Sequence, residues 1–286
     1  MIKFEKTEVT GWQQAIRGIR NPMNSWEKSD SGICKGGDDG IGCENCAAYD
    51  CEHTYDHSFQ LGKNDMGLMK RLRNAGTDHR KFMRMITVYV NITAPLYWWK
   101  EFDTYKVGTV ANSCSTMHKI QAKEFTLKDF SYEHLISDWN GDNLEGFIFD
   151  ENDFGDSVPF SPMDIIHHTI RALNANRKAY NAAAEKLKRK DLTEAERRHV
   201  SAQKKKYWWQ MIQLLPSSYN QKRTVMLNYE VLANIYKSRK NHKLDEWCLH
   251  EPEWEFDTAE PWQFGFCDWI ESLPYSELIT GIFEED

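Results

Sequence analysis

WWKEFDTYKVGTVANSCSTMHKI, from Trp98 to Ile120, is the most informative stretch of the chain. Two tryptophans and Phe102 lead into Asp103, Thr104, Tyr105 and Lys106. Gly108 and Thr109 then form a small-residue turn, and a polar run follows, Asn112, Ser113, Cys114, Ser115 and Thr116, closing on His118 and Lys119. Hydroxyls, amides and a cation beside aromatic rings are what a site needs to hold phosphate oxygens and stack a flat ring. The same composition also suits a helix end followed by a polar surface loop.

Working outward, the segment is framed by regular structure. Upstream, Met83 to Ile92 is rich in β-branched residues and predicts a strand that ends at Pro95. Before it, Met66, Leu68, Met69 and Leu72 recur at helical spacing over Asn64 to Asn74, with Gly76 as the stop. The N-terminus opens with a strand-like KFEKTEV, then a helical stretch from Trp12 to Ile19 and a turn at Asn21-Pro22. Downstream, Ser161-Pro162 starts a long helix running to Lys190, and Thr193-Glu194-Ala195-Glu196 is a capping box opening another that runs to Leu214. Val225 to Ser238 predicts a third helix. The lysine-rich stretches around Lys186 to Lys190 and Lys204 to Lys206 fit the solvated face of a helical hairpin. The expected fold is α+β, a small mixed or antiparallel sheet carrying long helices. It forms one domain over 1–286, with an inserted Cys/Gly/His-rich loop at about 28–57 and an acidic aromatic arm at about 251–286.

Composition narrows the functional classes. A formal net charge of −7 and a pI near 5.8 argue against nucleic acid or an anionic membrane as the main partner. No apolar run approaches the ~20 residues needed to span a bilayer, and MIKFEKTEVTGW lacks an apolar signal core, so a cytoplasmic protein is expected. Eleven tryptophans, several in polar contexts, suggest subunit seams or the edge of a ligand site, since a buried indole N–H seeks a partner.

Two further constellations carry chemistry. Cys43 and Cys46 form a CxxC pair followed by Cys51 and His53, with Cys34 before them, in a glycine-rich stretch; this is a soft tetrahedral set of the kind zinc takes, and free thiols are the other reading. His167 and His168 are adjacent on a helix and point about 100° apart, which favours a structural role over a shared ligand.

The 98–120 segment resembles the signature of the flavin-dependent thymidylate synthases, the ThyX type, which reads Arg-His-Arg-x-x-Ser followed by Asn-Glu-x-Ser-x-Arg-Tyr. With one inserted residue near Ala111, the matching positions are Thr104, Tyr105, Lys106 and Thr109, then Asn112, Ser113, Ser115, Met117 and His118. The flanks are similar to the family in the same order. Asn64 to Pro95 matches its helix, its Ala-Gly turn near a histidine (His79) and its strand; Leu214 to Trp247 matches its Leu-Pro-x-x-x-Tyr-Thr segment and later helix, placing Arg239 and His242 at its arginine and histidine.

The resemblance implies a homotetramer with ligand sites shared between subunits, and a reductive methylation of dUMP at C5. FAD would supply the hydride, methylenetetrahydrofolate the carbon and reduced nicotinamide (NADPH) the electrons. It implies FAD-binding roles for Thr104, Tyr105, Lys106, Thr109, Asn112, His79 and His242. Ser113, Ser115, His118 and Arg239 would hold the nucleotide, with Arg239 and Ser115 nearest the chemistry. Thr104, Lys106 and Met117 stand where the family has arginines, and a lysine meets phosphate only as a point charge. A flavin- or nucleotide-binding paralogue without synthase activity is therefore a second expectation, and a zinc-stabilised interaction protein a third.

Overall fold

A computed structural model describes residues 2–33, 59–137, 146, 148–151, 157–248 and 265–283. The chain runs β1 (Lys3–Thr10), α1 (Trp12–Arg20), β2 (Gly32–Ile33), β3 (Phe59–Gln60), α2 (Lys63–Asn74), β4 (Thr87–Pro95) and α3 (Leu96–Phe102). It continues through β5 (Val110–Ser113), α4 (Thr116–Lys119), β6 (Ile148–Glu151), β7 (Ser157–Phe160), α5 (Pro162–Lys186) and α6 (Glu194–Leu214), then β8 (Asn220–Asn228), α7 (Tyr229–Arg239), α8 (Phe266–Glu271) and α9 (Glu277–Thr280). The fold is α+β, as its pattern predicts. Two compact units are distinguished: Thr93–Lys100 with Ser113–Lys222, and Ile2–Ile92 with Glu101–Asn112 and the chain from Arg223 onward.

The first unit is dominated by the α5–α6 hairpin, whose starts are set by side-chain chemistry. Ser161 Oγ accepts from the Asp164 N–H while Asp164 accepts from the Ser161 N–H, and Thr193 and Glu196 repeat the arrangement. These hydrogen bonds hold the Asp164 carboxyl below the usual aspartate range, the Ser161 N–H first among them. Ile166, Leu173 and Met211 pack with Ile120, Phe125 and Phe130 to form this unit's core. α5 ends at Lys186, short of the predicted Lys190, because residues 187–190 turn and Arg197 caps the Leu187 carbonyl (2.9 Å).

The second unit is built on a sheet of strand order β1-β4-β8-β5, which β4 and β8 enter through residues 87–92 and 223–228. Side chains alternate: Val88, Val90, Ile92, Val225 and Leu227 are buried, while Tyr89 and Thr224 are exposed. The predicted helix over Val225 to Ser238 is therefore two elements. Its first residues finish β8, and the helix starts at Tyr229, where Asn228 Oδ1 accepts the Val231 N–H (3.1 Å). Likewise the strand predicted from Met83 begins only at Thr87, since Arg80–Met85 forms a 3₁₀ turn. In the described part of the tail, Trp269 stacks on Phe4 of β1 (centroids 4.9 Å apart) and donates to Thr7 Oγ1 (3.1 Å). Trp98, Trp99, Trp247 and Trp269 are buried within the chain itself, whereas Trp26 and Trp209 are half exposed.

A buried ion pair organises the region around α1 and α2. Arg20 Nε donates to Asp65 Oδ1 (2.8 Å); Nη2 lies 2.6 Å from the same oxygen but off line for a hydrogen bond, so that contact is purely ionic. Asp65 Oδ2 accepts from the Ser29 and Ser31 hydroxyls (2.6 and 2.7 Å) and from the Asp30 and Ser31 N–H groups (both 3.2 Å). Burial by itself would raise the Asp65 pKa, but the hydrogen bonds from Ser29, Ser31 and Arg20 outweigh it and bring the value below the usual 3.8.

Asp65→Asn leaves Arg20 buried without its counter-charge and is expected to cost about 3–5 kcal/mol of unfolding free energy in urea at neutral pH. The folded carboxyl titrates below the unfolded one. Its contribution is thus complete above 3.8 and drains away as pH falls through the lower folded value, and the gap between wild type and variant should close in that acid range and not at neutrality.

Candidate functional site

α3 ends at Phe102, and the chain turns back on itself at once. Thr104 satisfies the helix end: both its N–H and its hydroxyl donate to the Glu101 carbonyl (3.1 and 2.7 Å), and the Tyr105 N–H donates to Phe102 (3.0 Å). Gly108 sits at φ +77°, and a Cβ there would lie 2.9 Å from Asn228 Nδ2 and 3.0 Å from Val231, so a side chain would strain the backbone and displace these two neighbours. Lys106 and Val107 are left exposed. Thr109 Oγ1 is buried with no hydrogen-bond partner among the described residues.

The turn presents Tyr105 to the end of α7. Arg239 Nε donates to the Tyr105 hydroxyl (2.8 Å), and Nη1 donates to Glu101 Oε2 (2.7 Å). The guanidinium also lies 4.9 Å from the centroid of the Trp247 ring, a cation–π distance. His242 Nδ1 accepts the Leu244 N–H (3.1 Å), which puts the neutral ring's proton on Nε2, 3.5 Å from the same Glu101 oxygen. Trp247 is fully buried and packs against Phe102 and Phe266. The Arg239 side chain is 18% exposed and Glu101 35%, so the cluster opens to solvent on one side. With Nε and Nη1 engaged, the Nη2 edge is what this cation can offer to a phosphate or carbonyl oxygen. The group is suited to holding and polarising a bound molecule.

In the other unit, Ser115 caps the one-turn α4, its Oγ accepting the His118 N–H (3.1 Å). The Cys114 N–H donates to Lys222 O, its carbonyl accepts from Gln221 Nε2, and Trp208 Nε1 donates to Met117 O (2.9, 3.1 and 3.0 Å). This strap is fixed through its backbone, with the side chains of Ser113, Cys114 and His118 exposed.

Of the residues singled out by sequence, Tyr105, Arg239 and His242 meet in one cluster. Thr104 and Lys106 lie on its turn, with Thr104's hydroxyl spent on the helix end. Asn112 is exposed on β5, and His79 is exposed in the turn after Gly76. Ser113, Ser115 and His118 belong to the first unit. Cys34, Cys43, Cys46, Cys51 and His53 lie outside the described residues; among the described ones no group of His, Cys, Asp or Glu could hold a metal. Sequence reasoning assigned no role to Glu101, although it lies one helical turn before Tyr105, and did not join Trp247 to Arg239, a pairing that only the folded chain makes.

No protein-family model matches the sequence, and no curated protein does. Among solved structures, this chain is similar to thymidylate synthase X from Helicobacter pylori with FAD and dUMP, at 15% identity over 98% of both chains with a TM-score of 0.48. A second structure of that enzyme with FAD and dUMP aligns at 15% identity over 84% of this chain and 86% of the other, TM-score 0.41. The UMP/dUMP methylase PolB from Streptomyces cacaoi, bound with 5-Br dUMP, aligns at 13% identity over 86% and 80%, TM-score 0.37.

Truncating the ring on which Arg239 rests tests the cluster. Trp247→Ala should lower unfolding free energy by about 3–5 kcal/mol, whereas Trp209→Ala, at a half-exposed ring, should change it by no more than about 0.5 kcal/mol. Equal losses in urea melts would show that Trp247 contributes nothing beyond an ordinary surface ring.

Proposed function

We propose that this chain is a flavin-dependent pyrimidine-nucleotide methylase of the thymidylate synthase X type. One observation carries the reading. The two blocks whose sequences resemble that family, the turn at Thr104–Thr109 and the end of α7, meet through the Arg239–Tyr105 hydrogen bond. Residues 134 positions apart, one that the resemblance assigns to the flavin and one to the nucleotide, are thus joined in one cluster.

The residues of the turn fit a flavin. Thr109 Oγ1 is a buried polar atom lacking a partner among the described residues, Lys106 is an exposed cation with no ion pair among them, and Tyr105 brings a part-exposed aromatic ring. Lys106 would meet a phosphate of the cofactor, and Thr109 would donate to it. When bound, FAD supplies hydride transfer. Arg239 holds the nucleotide through its Nη2 edge, while Glu101 and Trp247 fix the guanidinium plane and His242 stands against the same carboxylate. In this reading reduced nicotinamide and methylenetetrahydrofolate are the co-substrates, and the working form is a cytoplasmic homotetramer.

A second reading has its own support. Thr104, Lys106 and Met117 replace arginines of the family pattern, and Glu101 already neutralises Arg239, which together favour a flavin- or nucleotide-binding paralogue without synthase activity.

The visible spectrum of the purified protein and calorimetry with FAD and dUMP separate these. Methylase function requires bound flavin, dUMP binding and product formation; flavin or dUMP binding without turnover selects the paralogue, and a colourless protein that binds neither removes both. Arg239→Ala should weaken dUMP binding on the order of tenfold to a hundredfold, the worth of one charged hydrogen bond, with flavin affinity nearly unchanged. Lys106→Ala should do the reverse. Light scattering that finds a monomer at micromolar concentration would remove the shared-site arrangement.

A further inference from the structure

Far along the chain from that cluster, α1 carries one stripe that faces a cavity of about 300 Å³. Gln13, Ile16, Arg17 and Arg20 fall at i, i+3, i+4 and i+7, so one side of the helix supplies an apolar floor, an amide and two guanidinium groups. The remaining walls include the rings of Trp26 and Phe59 and the hydroxyls of Ser29 and Ser31. The volume is at the lower end of the range of small-molecule sites.

The charges of this lining are unequal in what they have left to give. Arg20 is neutralised by Asp65, and Ser29 and Ser31 turn their hydroxyl protons to the same carboxylate. Ser31 Oγ is further engaged by the Gly62 N–H (2.9 Å). Asp30, beside Ser29 and Ser31 in the chain, is directed at the first N–H groups of α2, accepting from Asn64 and Asp65 (2.7 and 3.0 Å). Arg17 stands apart: exposed on the last turn of α1, its guanidinium pairs with no carboxylate among the described residues. Among the described residues of its lining, the cavity therefore carries one uncompensated positive charge. Trp26 is held by its Nε1–H on Asn21 Oδ1 (2.8 Å), yet the ring remains 50% exposed. The exposed indole leaves apolar surface in contact with water, and the guanidinium that lines the same cavity can meet an anion, so a ligand both apolar and anionic suits the pair.

We propose that this cavity binds a small planar organic acid, one ring bearing one carboxylate, with the ring against Trp26 and Phe59 and the carboxylate on Arg17 and the Gln13 amide. A single negative charge matches the one cation left unpaired among the described lining residues, and one ring matches the volume. The site is separate from the Arg239 cluster and does not depend on the function proposed for it.

Calorimetry on the full chain with benzoate, salicylate and nicotinate tests this, with benzamide as the uncharged control and cyclohexanecarboxylate as the non-planar one. At least one planar acid should bind, benzamide should not, and cyclohexanecarboxylate should bind more weakly. Arg17→Gln, at an exposed position whose folding is checked by its melting midpoint, should weaken binding on the order of tenfold to a hundredfold. Arg17→Lys should retain part of it, and Trp26→Ala should weaken it without altering the selectivity for charge. Arg239→Ala should leave it unchanged. No binding of any planar acid at millimolar concentration, or equal affinity in Arg17→Gln, overturns the proposal. So does competition by FAD or dUMP, which would make the cavity part of the other site.

Discussion

Arg20 and Asp65 are both buried, at 4% and 0% side-chain exposure, and neither could remain so alone. Removing a charge from water is tolerated only when a counter-charge and hydrogen bonds replace hydration. Asp65 Oδ2 meets that demand by collecting the hydroxyls of Ser29 and Ser31 and two backbone N–H groups, while Oδ1 takes Arg20. The last turn of α1, the segment 29–31 and the first turn of α2 are thereby drawn to a single carboxylate. The consequences extend along α2, whose far end carries Arg73 to the Leu278 and Ile279 carbonyls closing α9 (3.2 and 3.0 Å). One buried acid thus sets the orientation of the helix that ties the tail down.

The Arg239 cluster uses the same chemical parts to a different end. There, too, an arginine is paired with a carboxylate, but the pair is partly open to water and the plane of the cation rests on an indole. An open pair is worth less to stability than a buried one and costs less to rearrange, so Arg239 can trade contacts with an incoming oxyanion. Arg20 cannot do so without exposing Asp65. The contrast separates a structural arginine from one that can serve a ligand, although sequence alone makes them look alike: each lies in the last turn of a helix where a cation complements the dipole.

Local chemistry that acts within a few residues was legible. The Ser161-Pro162 start and the capping box at Thr193 needed only residues a few positions apart, and both helices start there. The β-branched run of β4 and the apolar spacing of α2 were likewise readable. The join at Val225–Ser238 was not, because a buried strand and a buried helix both present continuous apolar runs. What separates them is Asn228, whose amide caps the helix only after β8 has found its neighbours in the sheet.

By itself, then, the sequence determined the α+β class, most element positions and the family-like order of Thr104–Lys106, Asn112–His118 and Arg239–His242. These depend on short-range patterns that survive without knowing who packs on whom. Only the tertiary structure decided which arginine is buried against Asp65, that Glu101 and Trp247 hold Arg239, that Thr104 is spent on a helix end, and that Arg17 faces a cavity without a partner. Each of those outcomes is a contest between hydration and a specific partner, and a partner distant in sequence is identified only once the chain has folded.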